Sequence, residues 1–339
     1  MIANEQQLED LLSEPSGADA RAMSYLEGDL LILGVAGKMG PSLAKRARRA
    51  CDWAKIPKRI IGVARFSNHR TREELENAGI QTLAADLLDP GAVSKLPDAP
   101  NVLYMAARKF GSTGQENLTW AMNTMLPALV ADRFAASRIV AFSTGNVYPL
   151  VPVLQGGASE TTPPEPVGEY AQSALGRERI FEFFSLRNRT PMIFLRLNYA
   201  IDLRYGVLLD IGQRVFERRP VDVTTGHVNV IWQGDANSIA LRSFAMCQAP
   251  PVVLNVTGPE TMPVRWIAQR FGERFGVAPI LEGRESETAL LSNAARCHRL
   301  FGYPSVSVEQ MIEWVSEWVG IGGATHAKAT HFETRDGRF

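Results

Sequence analysis

An excess of charge of either sign is what this chain most obviously lacks: 36 lysines and arginines balance 36 aspartates and glutamates, for a formal net charge of zero. Binders of nucleic acid and of anionic membranes carry a basic excess, so neither partner is expected. The run Lys45-Arg46-Arg48-Arg49 is read as the solvated face of a helix. Cysteine is scarce as well. Cys51, Cys247 and Cys297 are odd in number, far apart and without metal spacing. That pattern argues against a disulfide framework and fits a reducing, cytoplasmic setting. None of the five histidines pairs at a ligand spacing, so no metal site is expected. No stretch of about 18 apolar residues is present to span a bilayer. Met1 to Asp10 has neither the basic nor the apolar part of a signal peptide. There is no Gly-x-Ser-x-Gly elbow, and Ser143 has no evident His/Asp partner, which leaves hydrolase chemistry without support. What remains is a chain with 45% hydrophobic residues, enough for a sizeable core without staples, and a small molecule as the expected partner.

The order along the chain is informative. Residues 1–28 read as an appendage of two short helices. From Asp29 strands and helices alternate. Apolar runs at 30–33, 59–64, 81–85, 101–106, 138–143 and 192–197 read as strands. Segments 41–50, 72–78, 116–136 and 169–186 read as helices, with Pro127 expected to kink the third. This alternation predicts an α/β fold with a doubly wound parallel sheet spanning 29–200, to which 228–258 returns. Residues 201–227 and 259–320 are expected to form a smaller substrate lobe, and 321–339 a mobile tail.

One turn carries chemistry. Leu30-Leu31-Ile32-Leu33-Gly34-Val35-Ala36-Gly37-Lys38-Met39-Gly40 places glycines three apart between a strand and a helix. Gly34 permits the tight turn, Gly37 lets a pyrophosphate approach the backbone, and Gly40 lets the helix pack on the sheet. The spacing therefore predicts a bound dinucleotide, with Lys38 and Met39 in the turn that cradles it. At the end of the second strand an NAD-preferring fold usually has an acid, and here Arg65 stands, with Ser67 after it. That favours the 2′-phosphate of NADP, while NAD bound without the acidic contact stays open. Asp86 and Leu87 would flank the adenine, although Asp86 also suits a helix N-cap.

Taken in order, these segments resemble the extended short-chain dehydrogenases/reductases, the NAD-dependent epimerase/dehydratase family. The resemblance covers roughly residues 29–318. It adds Tyr104-Met105-Ala106-Ala107, which would lie along the cofactor, and Asn123 in the long helix. It adds Phe142-Ser143-Thr144-Gly145-Asn146-Val147-Tyr148, a segment at Tyr170, and Arg196-Leu197-Asn198. The resemblance implies a Rossmann-like domain and hydride transfer between a nicotinamide and a small polar carbonyl or carbinol, with a sugar as one candidate. It implies Thr144 as the hydroxyl on the reacting oxygen, Ser143 as a second candidate, and Tyr170 as proton donor or acceptor. Asn146, Asn198 and Arg177 become substrate candidates. A homodimer through the fourth and fifth helices, near Trp120, Met122, Met125 and Phe181, is implied too.

Two departures matter. The family's Tyr-x-x-x-Lys reads Tyr170-Ala171-Gln172-Ser173-Ala174, so the lysine that would lower the tyrosine pKa is absent. Three accounts are open. Lys109, or Arg177 seven residues on along the same helix face, replaces the cation. Alternatively Tyr170 works as a neutral acid. Or chemistry is lost and the protein senses a dinucleotide. The second departure is Gly145-Asn146, where sugar-nucleotide dehydratases carry Asp-Glu, which argues against a 4,6-dehydratase. An epimerase that retains its cofactor is the remaining alternative.

Overall fold

Leu30-Leu31-Ile32-Leu33 has no polar side chain to offer solvent, and the structure, a computed structural model describing residues 2–109 and 114–338, buries all four. They form β1 (Leu30–Leu33), an interior strand of a seven-stranded sheet. The other strands are β2 (Ile60–Ala64), β3 (Gln81–Ala84), β4 (Asn101–Tyr104), β5 (Arg138–Thr144), β6 (Met192–Leu197) and β7 (Val252–Val256). Their order is β7-β6-β5-β4-β1-β2-β3, parallel throughout. The order reverses between β1 and β4, which opens a crevice at the carboxyl ends of those strands.

The helices are α1 (Glu5–Leu12), α2 (Gly17–Tyr25), α3 (Gly40–Trp53), α4 (His69–Asn77), α5 (Pro90–Ser94) and α6. Helix α6 runs Glu116–Trp120, passes through a π-helical turn at Ala121–Met125 and continues as Leu126–Arg133. Then follow α7 (Gly168–Asn188), α8 (Val207–Phe216), α9 (Gln233–Arg242), α10 (Val264–Phe275), α11 (Ala295–Phe301) and α12 (Val308–Gly320). Alternate residues of β1 feed two cores. Leu30 and Ile32 pack with Met23, Leu43 and Ile239 of α2, α3 and α9. Leu31 and Leu33 pack with Val93, Val130 and Phe181 of α5, α6 and α7. A separate core joins α8, α10 and α12 into the smaller lobe.

Several expectations need adjustment. The irregularity in α6 is a π turn just before Pro127 rather than a kink at it. Proline has no N–H to give and its ring crowds the carbonyl four residues back, so the ladder widens ahead of it. Strand β4 stops at Tyr104 instead of 106, because the following residues turn across Gly34. Phe181 is fully buried, its ring 5.0 Å from that of Tyr104, so it belongs to the core and not to a surface another copy can touch. Exposed apolar side chains on α6 and α7 are instead Met125, Phe183 and Leu186.

Both terminal segments are packed. Leu8 and Leu12 of α1 enter the lobe core, and Glu9 bridges Lys45 of α3 and Arg204 of the lobe. Asp19 of α2 takes two bonds from Arg46, at 3.0 and 2.8 Å, in a buried pair. Removing one partner of such a pair typically costs about 3–5 kcal/mol. The segment expected as a mobile tail is likewise held: Phe332 sinks into the lobe core, and Thr225 Oγ1 donates to its carbonyl at 3.0 Å.

Candidate active site

The glycine turn shows why three glycines are needed, each for its own reason. Gly34 has φ +88, and a Cβ there would stand 2.7 Å from the Ala106 nitrogen. At Gly40 a Cβ would meet the Val35 carbonyl oxygen at 2.0 Å. Protein packing therefore explains both. Gly37 has no positive φ, and its Cβ would meet only the Gly34 oxygen, at 3.3 Å. The clearance that Gly37 keeps lies before the N-terminus of α3, whose first turn has no capping side-chain bond. Open N–H groups and the helix dipole make this a cradle for an anion, and it fits a dinucleotide pyrophosphate.

From this turn a cleft of about 380 Å³ extends toward the small lobe. Gly34, Gly37, Lys38, Met39 and Gly40 form one wall; Ala107 and Lys109 after β4 continue it. Thr144, the last residue of β5, and Tyr170, in the first turn of α7, face it from the other side. The Thr144 hydroxyl favours the ionised form of the Tyr170 phenol. Thr144 Oγ1 also donates to Asn146 Oδ1 at 3.1 Å, which fixes Asn146 in the cleft.

Burial raises the Tyr170 phenol above its ordinary value; the Arg177 cation and the Thr144 hydroxyl offset only part of this. Ala174 is fully buried in an apolar cluster with Val147, Tyr148 and Leu291, so no charge stands in the lysine's place. Three cations, Arg177, Lys109 and Lys38, line the same cleft. Arg177 is held by the Phe142 carbonyl at 2.9 Å and by Asn123 Oδ1 at 2.7 Å. The Lys109 ammonium sits 5.7 Å from the centre of the Tyr170 ring, and burial lowers its pKa to about 8. Lys38 lies 3.1 Å over the Tyr205 ring, and burial, with help from Lys328 and Lys109, lowers it to about 7.

The remaining candidates divide by position. Ser143 lines the cleft, but its Oγ donates to Glu178, whose carboxylate is paired with Arg196 at 2.9 and 2.6 Å. Asn123 is fully buried and acts at one remove. It takes the Arg108 N–H at 3.0 Å and donates to Ser173 at 2.9 Å while gripping Arg177. Asn198 faces the cleft with its amide turned to Asn229 at 2.8 Å. Ala106 is buried against Gly34. Arg65 and Ser67 are exposed at the end of β2, outside the cleft lining. Asp86 accepts from the Leu88 N–H at 3.0 Å, and Leu87 is buried in the core. Tyr199, Tyr205, Gln233 and Thr330 also line the cleft, and sequence reasoning missed them. Tyr199 is held at φ +40, a conformation a tyrosine rarely adopts, and no local pattern announces it. Among the described residues no group of His, Cys, Asp and Glu is placed to hold a metal, and no helix is long and apolar enough to cross a membrane.

Comparison with known proteins agrees with this geometry. The structure of Pal from Bacillus thuringiensis superposes with a TM-score of 0.72 at 16% identity, covering 86% of this chain and 99% of that one. A Bacillus cereus UDP-glucuronic acid 4-epimerase mutant, in complex with a fluorinated UDP-glucuronic acid analogue and NAD, gives 0.72 at 17%, covering 86% and 99%. UDP-glucose 4-epimerase from Thermotoga maritima with UDP-glucose gives 0.69 at 17%, covering 86% and 98%. At these identities the likeness speaks for the fold, which is Rossmann-like. Curated proteins provide no sequence match. A model of the NAD-dependent epimerase/dehydratase family matches residues 30–200, half of the chain, and that span holds the glycine turn, Thr144 and Tyr170. By that match the chain belongs to the NAD-dependent epimerase/dehydratase family.

Proposed function

We propose that the protein is a nicotinamide-dependent oxidoreductase of this family, acting on a small polar carbonyl or carbinol compound, a sugar derivative among the candidates. The observation that carries the reading is the Thr144–Tyr170 pair, which faces the same cleft as the glycine turn. Gly34, Gly37, Lys38, Met39, Gly40, Ala107 and Lys109 would hold the dinucleotide, which supplies or accepts the hydride when bound. Thr144 Oγ1 orients the reacting oxygen. Tyr170, neutral because burial raises its pKa, donates its proton to that oxygen as the carbonyl becomes a carbinol. Arg177 and Lys109 replace the missing lysine by stabilising the tyrosinate left behind. In the reverse direction Tyr170 takes the carbinol proton.

Arg65, exposed at the end of β2, supports NADP, whereas the complexes of the structural neighbours contain NAD. A homodimer through α6 and α7 belongs to the same reading and would cover Met125, Phe183 and Leu186. The apolar surroundings of Ala174 favour one rival, a binding protein without turnover. Calorimetric titration with NAD and NADP, followed by assay of hydride transfer against a panel of small carbonyls and carbinols, tests the reading. Failure to bind either cofactor sinks it; binding without transfer to any of them points to the rival.

A further inference from the structure

Asn146 and Tyr199 line two cavities at once. One is the cleft of about 380 Å³. The other is a remnant of about 30 Å³, with room for about two waters. The remnant is closed by Thr334, Arg335 and Gly337. A few residues earlier in the same segment, Thr330 lines the main cleft. A single run of chain near the C-terminus therefore borders both spaces.

That run is fixed on both sides. On the lobe side, the Thr330 N–H and hydroxyl both donate to Asp210 Oδ2 on α8, the first at 2.8 Å. Thr330 and Phe332 are 2% and 5% exposed, so this part is a packed element. Further along, Arg335 donates to the Thr288 carbonyl and hydroxyl, each at 2.7 Å. At the far end Gly337 lies backbone to backbone against Val167 and Gly168, just ahead of Tyr170: a Cβ on Gly337 would stand 2.2 Å from the Val167 oxygen. The segment thus crosses from the lobe to the base of the helix that carries Tyr170. A ligand that reached past Asn146 and Tyr199 would need the space it fills.

We propose that residues 326–338 are the outer wall of the substrate site and restrict it to a small substrate with no nucleotide attached. This rests on reading the cleft as the active site. It separates the chain from neighbours whose structures hold UDP-glucose or UDP-glucuronic acid. The wall also selects by contact, because the N–H and hydroxyl of Thr330 are spent on Asp210 while the residue lines the cleft.

The test uses the full chain loaded with NAD or NADP and titrated with UDP-glucose and UDP-glucuronic acid. Two variants accompany it. Gly337→Val frees only the far end, since its φ of +75 and the Val167 oxygen leave no space for a side chain. A chain ending at residue 325 removes the wall entirely. The native protein is expected to bind neither UDP-sugar at about 1 mM. Both variants are expected to bind at least one of them about tenfold more tightly than native, with cofactor affinity unchanged within about twofold. UDP-sugar binding by the native chain below about 1 mM overturns the proposal. So does continued exclusion in Gly337→Val with cofactor binding intact. Failure of the native chain to bind either cofactor would instead strike the reading of the cleft itself.

Discussion

The two walls of the cleft are built in different ways. The cofactor wall is largely one unbroken stretch, β1, the glycine turn and the start of α3, in which each residue is placed by its immediate neighbours. The substrate wall is assembled from pieces far apart in sequence: Thr144, Tyr170, Arg177, Tyr199, Tyr205 and Thr330. A local wall carries its function in spacing alone. An assembled wall carries it in the tertiary fold, where one residue can be lost and its role taken up from another segment. Ala174 and the pair Arg177 and Lys109 would illustrate this on the proposed reading, since two cations from other positions reach the same cleft.

The sharpest break of this comparison is Tyr170→Phe, which removes only the phenol. Turnover of any substrate found should fall about 10²–10⁴-fold, the usual worth of a positioned acid–base group. Cofactor affinity, which belongs to the other wall, should stay within about twofold. Equal losses in both would mean that the walls are not separable. Because burial raises the Tyr170 pKa, the phenol stays protonated through neutral pH. Carbonyl reduction should therefore hold its rate from pH 6 to 7, while carbinol oxidation should climb with pH; a pH–rate profile in each direction checks this.

The complementary break is Gly37→Val. Packing at Gly34 and Gly40 forbids a side chain whether or not a ligand is present, whereas a Cβ on Gly37 would meet only the Gly34 oxygen, at 3.3 Å, a tight contact that a small shift of the turn relieves. The variant should fold with a melting temperature lowered by no more than a few degrees and lose about 10²-fold in dinucleotide affinity. A large drop in melting temperature would show that Gly37 serves the fold rather than the cradle.

These two substitutions also mark what the sequence made legible. The glycine turn could be interpreted residue by residue, because a turn, a strand before it and a helix after it are local events. The parallel sheet was equally legible, since a strand buried on both faces must be apolar throughout, as Leu30 to Leu33 are. Tyr199, Tyr205 and Thr330 were not, because nothing within a few residues of them distinguishes a cleft residue from a core or surface one. The tail shows the same limit. A segment rich in glycine, alanine and polar residues looks mobile, yet Phe332 and the bonds to Asp210 and Thr288 hold it against two parts of the molecule. Phe181 stands near the dimer face that the resemblance implies, and the packing against Tyr104 places it inside.

Lys109→Met probes how far the replacement of the missing lysine goes. With its pKa lowered to about 8 by burial, Lys109 is charged below that pH and loses its proton above it. Its support for the tyrosinate is thus present at pH 7 and fades as pH rises through about 8. The native carbinol-oxidation profile should show an inflection near that value, and Lys109→Met should lose the inflection together with about tenfold in rate at pH 7. Retention of the inflection in the variant would move the role to Arg177 alone.

The smallest effect expected lies at the outer edge of the cofactor wall. Arg65 is exposed at the end of β2, where water screens its charge. A guanidinium there attracts a 2′-phosphate, whereas a carboxylate accepts hydrogen bonds from two free ribose hydroxyls. Arg65→Asp should therefore weaken NADP about tenfold and leave NAD equal or slightly tighter, read as the ratio of the two dissociation constants at low salt. The same titration at high salt should shrink the native preference, because an exposed charge pair loses its attraction once the Debye length falls below the separation. An equal effect on both cofactors would place the choice between them in the cleft, at Lys38 or Lys109, and the difference between the two walls would then extend to cofactor specificity as well.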